Sequence, residues 1–526
     1  MKHYQFETLS IVNTAAEKRL VVGEKLENPY SVANMQKALA TLQEDGMMKS
    51  SAVIEPTHLY VRFLPQNEEE LDLIKKDTTL ALFTYPLDHK VEGEGNYYHD
   101  PELKGKPYTY LYTVVPVGYT SPVSGYKVLD EVVHYFEDEE PERESGLHSK
   151  AASSDASSDW ETILCKSMQI TGNAMYEESE DNRLKGLFDF LKPKRYRARA
   201  KVMAWDDKKQ DYVPVDKAYV RAQNFTHITK GYTDASGSTG DKLGLYIYAA
   251  KYSIIWETGE YDIREGAFNQ AETNGNEVKG EYTFWIDGGK PWSLAFASIH
   301  RACWYMNTGY IFGINRPFIY SPVGGKTKLR YLHEKGKSMF NWNSAGVFAN
   351  IDIRGLNKSG GRRLTHDLIE TTIHELAHVG HCRDMIGIQY IQVSNILTES
   401  WAVAVQYYLT QYYYGDNITY DNYPGGIIPN DYQNWPEVNP AEPYYTCLFI
   451  DLIDNFNQRK RYGPLSSNMR YYADDDVTGY SLQTLNGILL ESYGLASLSG
   501  KLKNRRPAGV TDDQIDRLIE SIALYN

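Results

Sequence analysis

Cysteine is scarce, with four residues in 526 at positions 165, 303, 382 and 447, and these form neither a CxxC pair nor a regular framework. A disulfide-stapled fold is therefore excluded, while the redox compartment stays open. Long apolar runs are missing as well. No stretch of 18 apolar residues occurs, so no transmembrane segment is expected. The opening MKHYQFETLSIVNTAAEKRL lacks the apolar core of a secretory signal, and the chain reads as either cytoplasmic or a mature segment whose signal is not part of the sequence. Basic residues are in deficit, 55 against 69 acidic ones for a formal net charge of -14. With no basic stripe to bind phosphates, nucleic acid is not an expected partner. Histidine, finally, stops early: none of the thirteen follows His381.

Core material is ample, at 42% hydrophobic residues with 43 tyrosines. A chain this long exceeds one hydrophobic core and should divide into roughly three or four units. Residues 1–145 mix signals: YSVANMQKALATLQEDG (30–46) predicts a helix closed by Gly46, and THLYVRFLP (57–65) and YTYLYTVVPV (108–117) predict strands. The charged and then Ser/Ala-rich stretch at 137–159 marks a boundary, so residues 146–191 are expected to form a linker and helical connector. From 192 to 266, short strands separated by turn residues predict a β-sandwich. Helix signals dominate 280–526, although AGVFANIDIRG (345–355) alternates like a half-buried strand with an exposed edge suited to holding an extended peptide. The expected fold class is thus multidomain α+β, with an N-terminal mixed region, a central β-sandwich and a C-terminal, mainly helical domain.

Within that last domain, TTIHELAHVGHCRDMIG (371–387) holds three histidines within eight residues. His374 and His378 are four apart on a predicted helix, one turn above the other, and can share one ion at about 2.0 to 2.1 Å. Glu375 lies between them, suited to take a proton from water that the ion acidifies towards a pKa of ~7. A catalytic zinc takes three protein ligands, so a further donor is needed. His381 fits poorly, because seven residues of helix rise about 10 Å while donors on one zinc lie only ~3 to 4 Å apart. Two carboxylates remain as third-ligand candidates: Glu399, on a second predicted helix in ILTESWAVAVQYYLTQYYYG, and Asp384. Tyr444 and Tyr445, opening the predicted helix PYYTCLFIDLIDNF, are the candidates to steady an oxyanion. His300 in ASIHRACW reads as a core histidine.

HELAH followed twenty residues later by ESWA resembles the gluzincin metallopeptidases, over about 120 residues. The resemblance implies His374, His378 and Glu399 as zinc ligands, Glu375 as general base, and a peptide or protein as substrate. Two features of that group are missing here: the Gly-x-Met-Glu-Asn element that holds a free amino terminus, and a downstream histidine for the oxyanion. Endopeptidase action is therefore favoured over aminopeptidase action. Separately, VPVDKAYVRAQ with GYTDASG resembles the carboxypeptidase regulatory-like, transthyretin-like sandwich over about 75 residues. Such modules accompany secreted bacterial enzymes, which implies a secreted, cell-surface or periplasmic location. The rival readings are a metal-holding binding protein without turnover and a zinc hydrolase of a non-peptide amide.

Overall fold

The computed structural model describes residues 20–48, 53–92, 96–134, 154–173, 195–266, 268–308, 312–314, 316–317, 326–341, 351–385, 389–414, 444–464 and 472–523. The described residues form a mixed α and β architecture with six sheets. No helix among them is long and apolar enough to cross a membrane. The chain separates into two compact units, each assembled from three stretches: 1–203, 218–255 and 268–293 in one, 204–217, 256–267 and 294–526 in the other.

In the first unit, the helix Val32–Glu44 forms where Ser31 accepts the Asn34 N–H, and it buries Met35, Ala38, Leu39 and Leu42 along one stripe. Each large side chain so buried contributes about 2 kcal/mol. The helix ends before Gly46, whose φ of +68° suits glycine and strains any other residue. His58–Phe63 lies between Leu111–Pro116 and Tyr126–Val132 in an antiparallel sheet. A second antiparallel sheet runs in the order His227–Tyr232, Tyr219–Asn224, Ala250–Ile255, Glu272–Val278.

Hydrogen bonds and one buried cation tie these two sheet regions into one unit. Arg221 is fully buried, with Glu272 at 3.5 Å and the Phe83 ring 3.8 Å from the guanidinium; it also donates to the Leu82 carbonyl. Tyr30 donates to Asn224 at 3.1 Å and Tyr85 to Gln223 at 3.2 Å. The stretch expected as a linker is described only from residue 154, where Ser154–Ile170 is helical; the more charged part falls outside the described residues.

The second unit carries a mixed sheet. Strand β1 (Tyr261–Glu265) pairs in parallel with β2 (Thr327–Lys335); β3 (Met339–Phe340) pairs antiparallel with β4 (Ile351–Leu356), and β4 is itself parallel to β2. Gly266, the expected end of the sandwich, directly follows β1. The expectation of an exposed edge at 345–354 needs correction: residues 345–350 lie outside the described residues, and β4 is internal, flanked by β2 and β3. The cause is a buried cross-strand pair. Asp352 takes two bonds from Arg330 of β2, at 2.8 and 2.5 Å, while Ile351 and Ile353 are fully buried. Both faces of β4 are therefore covered.

Candidate metal centre

Two long helices carry the site, α1 (Thr365–Asp384) and α2 (Asn395–Tyr414), and they pack against each other. Ile369, Ile373 and Leu376 anchor α1 in the core. Its first turn has no cap from Leu364; instead Asp207 accepts the Thr365 N–H at 2.9 Å and is gripped by both Arg362 terminal nitrogens at 2.7 Å. Burial opposes the Asp207 charge, but Arg362 and the Thr365 N–H outweigh it and hold its pKa at about 2. Helix α2 is buried almost all round, as befits an interior helix.

His374 Nε2 and His378 Nε2 lie 3.2 Å apart. Glu399 Oε2 lies 3.2 Å from the first and 3.3 Å from the second. The opposite ring nitrogens are both engaged: His374 Nδ1 with Gln406 Oε1 at 3.1 Å and His378 Nδ1 with the Tyr390 hydroxyl at 3.2 Å. Because the amide oxygen of Gln406 can only accept, His374 carries its proton on Nδ1 and leaves Nε2 as a lone pair. His378 takes the same form when Tyr390 accepts. In that tautomer the neutral rings and the carboxylate turn three lone-pair atoms towards one point, an arrangement that a cation satisfies. Their separations match the ~3.3 Å edge of a tetrahedron with arms of ~2.05 Å, the size that two imidazoles and a carboxylate make around zinc.

Glu375 is 6% exposed. Burial, reinforced by Glu399 and Asp352 and opposed by His374 and the Phe340 N–H, pushes its pKa up to about 7. Such a group is poised to exchange a proton near neutrality.

The other residues singled out from the sequence fall at varied distances from this centre. Asp384 sits at the end of α1, bound to Arg383 at 2.6 Å, and is not among the converging donors. His381 is buried with its ring edge-on to Tyr390 at 5.1 Å; burial and His378 push its pKa down to about 3, so it is neutral. Tyr445 stacks on His374, with ring centres 5.9 Å apart, and Lys337 Nζ stands 5.9 Å from the Tyr445 ring. Tyr444 is 44% exposed; its carbonyl accepts from Ser400 of α2. The helix expected to open at these tyrosines starts only at Leu448, because Thr446 caps the Leu448 N–H and bonds Ser400. His300 is a core histidine held by Tyr261 at 2.9 Å and the Asp216 carbonyl at 2.8 Å.

Sequence reasoning missed Gln406, Tyr390 and the Phe340 main chain. Gln406 had a legible signal, since it follows Glu399 by seven residues, two turns along the same helix face. The other two had none.

A second convergence joins Asp451, Asp454 and Asp475, whose carboxylate oxygens lie within 4.8 Å of one another, all buried. Backbone and amide donors reach each of them: Gln458 to Asp451, Phe456 to Asp454 and Val477 to Asp475. Burial and the neighbouring Asp451 push the Asp475 carboxyl far above the carboxylate range, so the trio holds a proton at neutral pH.

Comparison with family models, with curated proteins and with solved structures gives no match for this chain.

Proposed function

We propose that this protein is a zinc-dependent hydrolase of peptide bonds, with endopeptidase action favoured. The observation that carries the reading is the convergence of His374 Nε2, His378 Nε2 and Glu399 Oε2, each 3.2 to 3.3 Å from the next, with Gln406 and Tyr390 behind the imidazoles. Those three residues would hold the ion. Zinc bound there supplies Lewis acidity, polarising a carbonyl and acidifying water.

The remaining steps belong to the chain. Glu375 takes the proton of the attacking water and returns it to the leaving amine, work for which a pKa near 7 is suited. The Phe340 N–H stabilises the charged form of Glu375, so the base is steadied by β3. That short strand ends the described sheet, and an extended peptide added alongside it would run beside Glu375. Tyr445, over His374, is the donor proposed for the oxyanion.

The test is metal analysis of the purified chain followed by digestion of a broad peptide library, with and without a chelator. About one zinc per chain, with cleavage abolished by chelation and restored by zinc, is the expected result. Absence of zinc overturns the metal centre. Zinc without cleavage of any peptide overturns the peptidase reading in favour of a binding role or a non-peptide amide.

A further inference from the structure

Glu370 lies one helical turn before His374 on α1, four residues away and on the same face. The amide of Gln406, on α2, meets both. Its oxygen faces His374 Nδ1 at 3.1 Å, and its nitrogen donates to the half-buried Glu370 carboxyl. Gln406 itself is buried, so water has little access to either end of the amide.

Nothing in His374 alone decides which end of that amide it meets. A neutral imidazole can give a proton from Nδ1 to an oxygen or accept one at Nδ1 from a nitrogen, and an amide turned end for end keeps its shape. The two arrangements differ at the other ring nitrogen. With the amide oxygen at Nδ1, the ring proton is on Nδ1 and Nε2 presents a lone pair. With the amide nitrogen there, the ring proton moves to Nε2, which then donates to Glu399 Oε2, 3.2 Å away. The first arrangement is ready for a cation. The second closes on itself.

The choice is made at the far end of the amide. A carboxylate accepts and cannot donate, so Glu370 takes the amide nitrogen and leaves the oxygen for His374. The groups facing Glu370 come from every element around it: Asp367 on α1, Arg363 just before α1, Lys208 beyond Asp206, and Gln406 and Tyr414 on α2. Burial, with Asp367, pushes its pKa up to about 7 against the pull of Lys208, Arg363 and the Gln406 amide. The ionised form therefore weakens the fold as pH rises towards that value. What it supplies is an acceptor.

We propose that Glu370 is a positioning residue for the metal centre: by holding the Gln406 nitrogen, it keeps the amide oxygen on His374 and the Nε2 lone pair turned towards the ion. Its effect on zinc rests on the function proposed above, whereas its choice of the His374 tautomer does not.

The test uses the full chain at pH 8, with its histidines labelled with nitrogen-15. In metal-free protein, long-range proton–nitrogen spectra report the His374 tautomer, its signals assigned by their loss in His374→Gln. Zinc affinity is read separately, by competition with a chelating dye. In the parent, His374 should carry its proton on Nδ1. Glu370→Met keeps the volume and the helix but removes the acceptor. The proton should move to Nε2, and zinc affinity should fall about tenfold, as expected when only about a tenth of the molecules hold the ready ring. Adding Gln406→Glu to Glu370→Met should recover both readouts, because a carboxylate has no donating end to turn to His374. Should Glu370→Met fail to fold by circular dichroism, Glu370→Ala carries the same expectation. An Nδ1 proton retained in the folded variant, an unchanged zinc affinity, or a loss that Gln406→Glu does not recover would each overturn the proposal. A parent that binds no zinc would overturn the metal centre instead, and the tautomer spectra would still decide the role of Glu370.

Discussion

Gln406 Oε1 lies 3.1 Å from His374 Nδ1, and on its other side the same amide donates towards Glu370, a half-buried carboxyl on α1. One side chain of α2 thereby fixes both the ring orientation and the tautomer of a proposed zinc ligand on α1. Removing such support typically costs 10- to 100-fold in metal affinity. Gln406→Leu should show a loss of that size in competition with a zinc-binding dye, with the fold intact by circular dichroism. Unchanged affinity would mean that the amide does not orient His374.

Glu375→Gln keeps the shape of the base and removes its proton chemistry. Turnover should fall by about 10²- to 10⁴-fold with zinc content unchanged, as read by peptide cleavage and metal analysis on the same sample. A variant retaining more than a few per cent of activity would remove Glu375 from the mechanism.

The two carboxylates once open as third ligand now have different surroundings. Glu399→Ala should lose zinc under mild chelation, because Glu399 Oε2 completes the triangle with the imidazoles. Asp384→Ala, which removes the partner of Arg383 and no member of the converging triangle, should keep it. The reverse pattern would exclude the ligand set.

Adjacent tyrosines should differ in the same way. Tyr445→Phe should lower kcat by roughly 10²- to 10³-fold if its hydroxyl meets the oxyanion, with zinc retained. Tyr444→Phe, at an exposed side chain, should leave kcat alone. Equal effects of the two would turn the search to Lys337, which stands beside the Tyr445 ring.

Acid and base should act on stability through Asp475. Its carboxyl is raised in the folded chain, so folding takes up a proton; the associated stability is full below the ordinary carboxyl value of about 4 and is lost progressively as pH rises. Asp475→Asn can still accept from Val477 and has no proton to acquire. The variant should melt higher than the parent at pH 8, by a few degrees or more, with the gap closing towards pH 4. A lower melting point at pH 8, measured by calorimetry, would show that the trio is held by something other than a shared proton.

Much of the proposed centre was legible because its logic is local. The pairing of His374 with His378 follows from helix pitch alone, and the burial of Ile369, Ile373 and Leu376 from the same periodicity. Glu399 was reachable by asking for a third donor on a helix long enough to return. Tyr390 and the Phe340 N–H were not, because neither bears a fixed sequence spacing to the histidines; tertiary packing alone brings them in. The strand at 351–356 was misjudged for a related reason. Its alternation suggested one wet face, but Asp352 is polar and buried, satisfied by Arg330 on the neighbouring strand. A pattern of polar and apolar letters cannot distinguish a solvated carboxylate from one neutralised by a distant arginine.

The Asp207 cap has a practical consequence for anyone wishing to work with the metal-bearing part alone. A fragment starting near residue 280, where a linear reading would cut, leaves behind Asp207, whose carboxylate receives the Thr365 N–H, and Tyr261–Glu265, one strand of the sheet below. During translation these pieces emerge 158 and about 100 residues ahead of the helix they serve. The unit cannot be completed from its C-terminal portion, and a gene truncated there should give an incomplete product however well the HELAH helix itself is encoded.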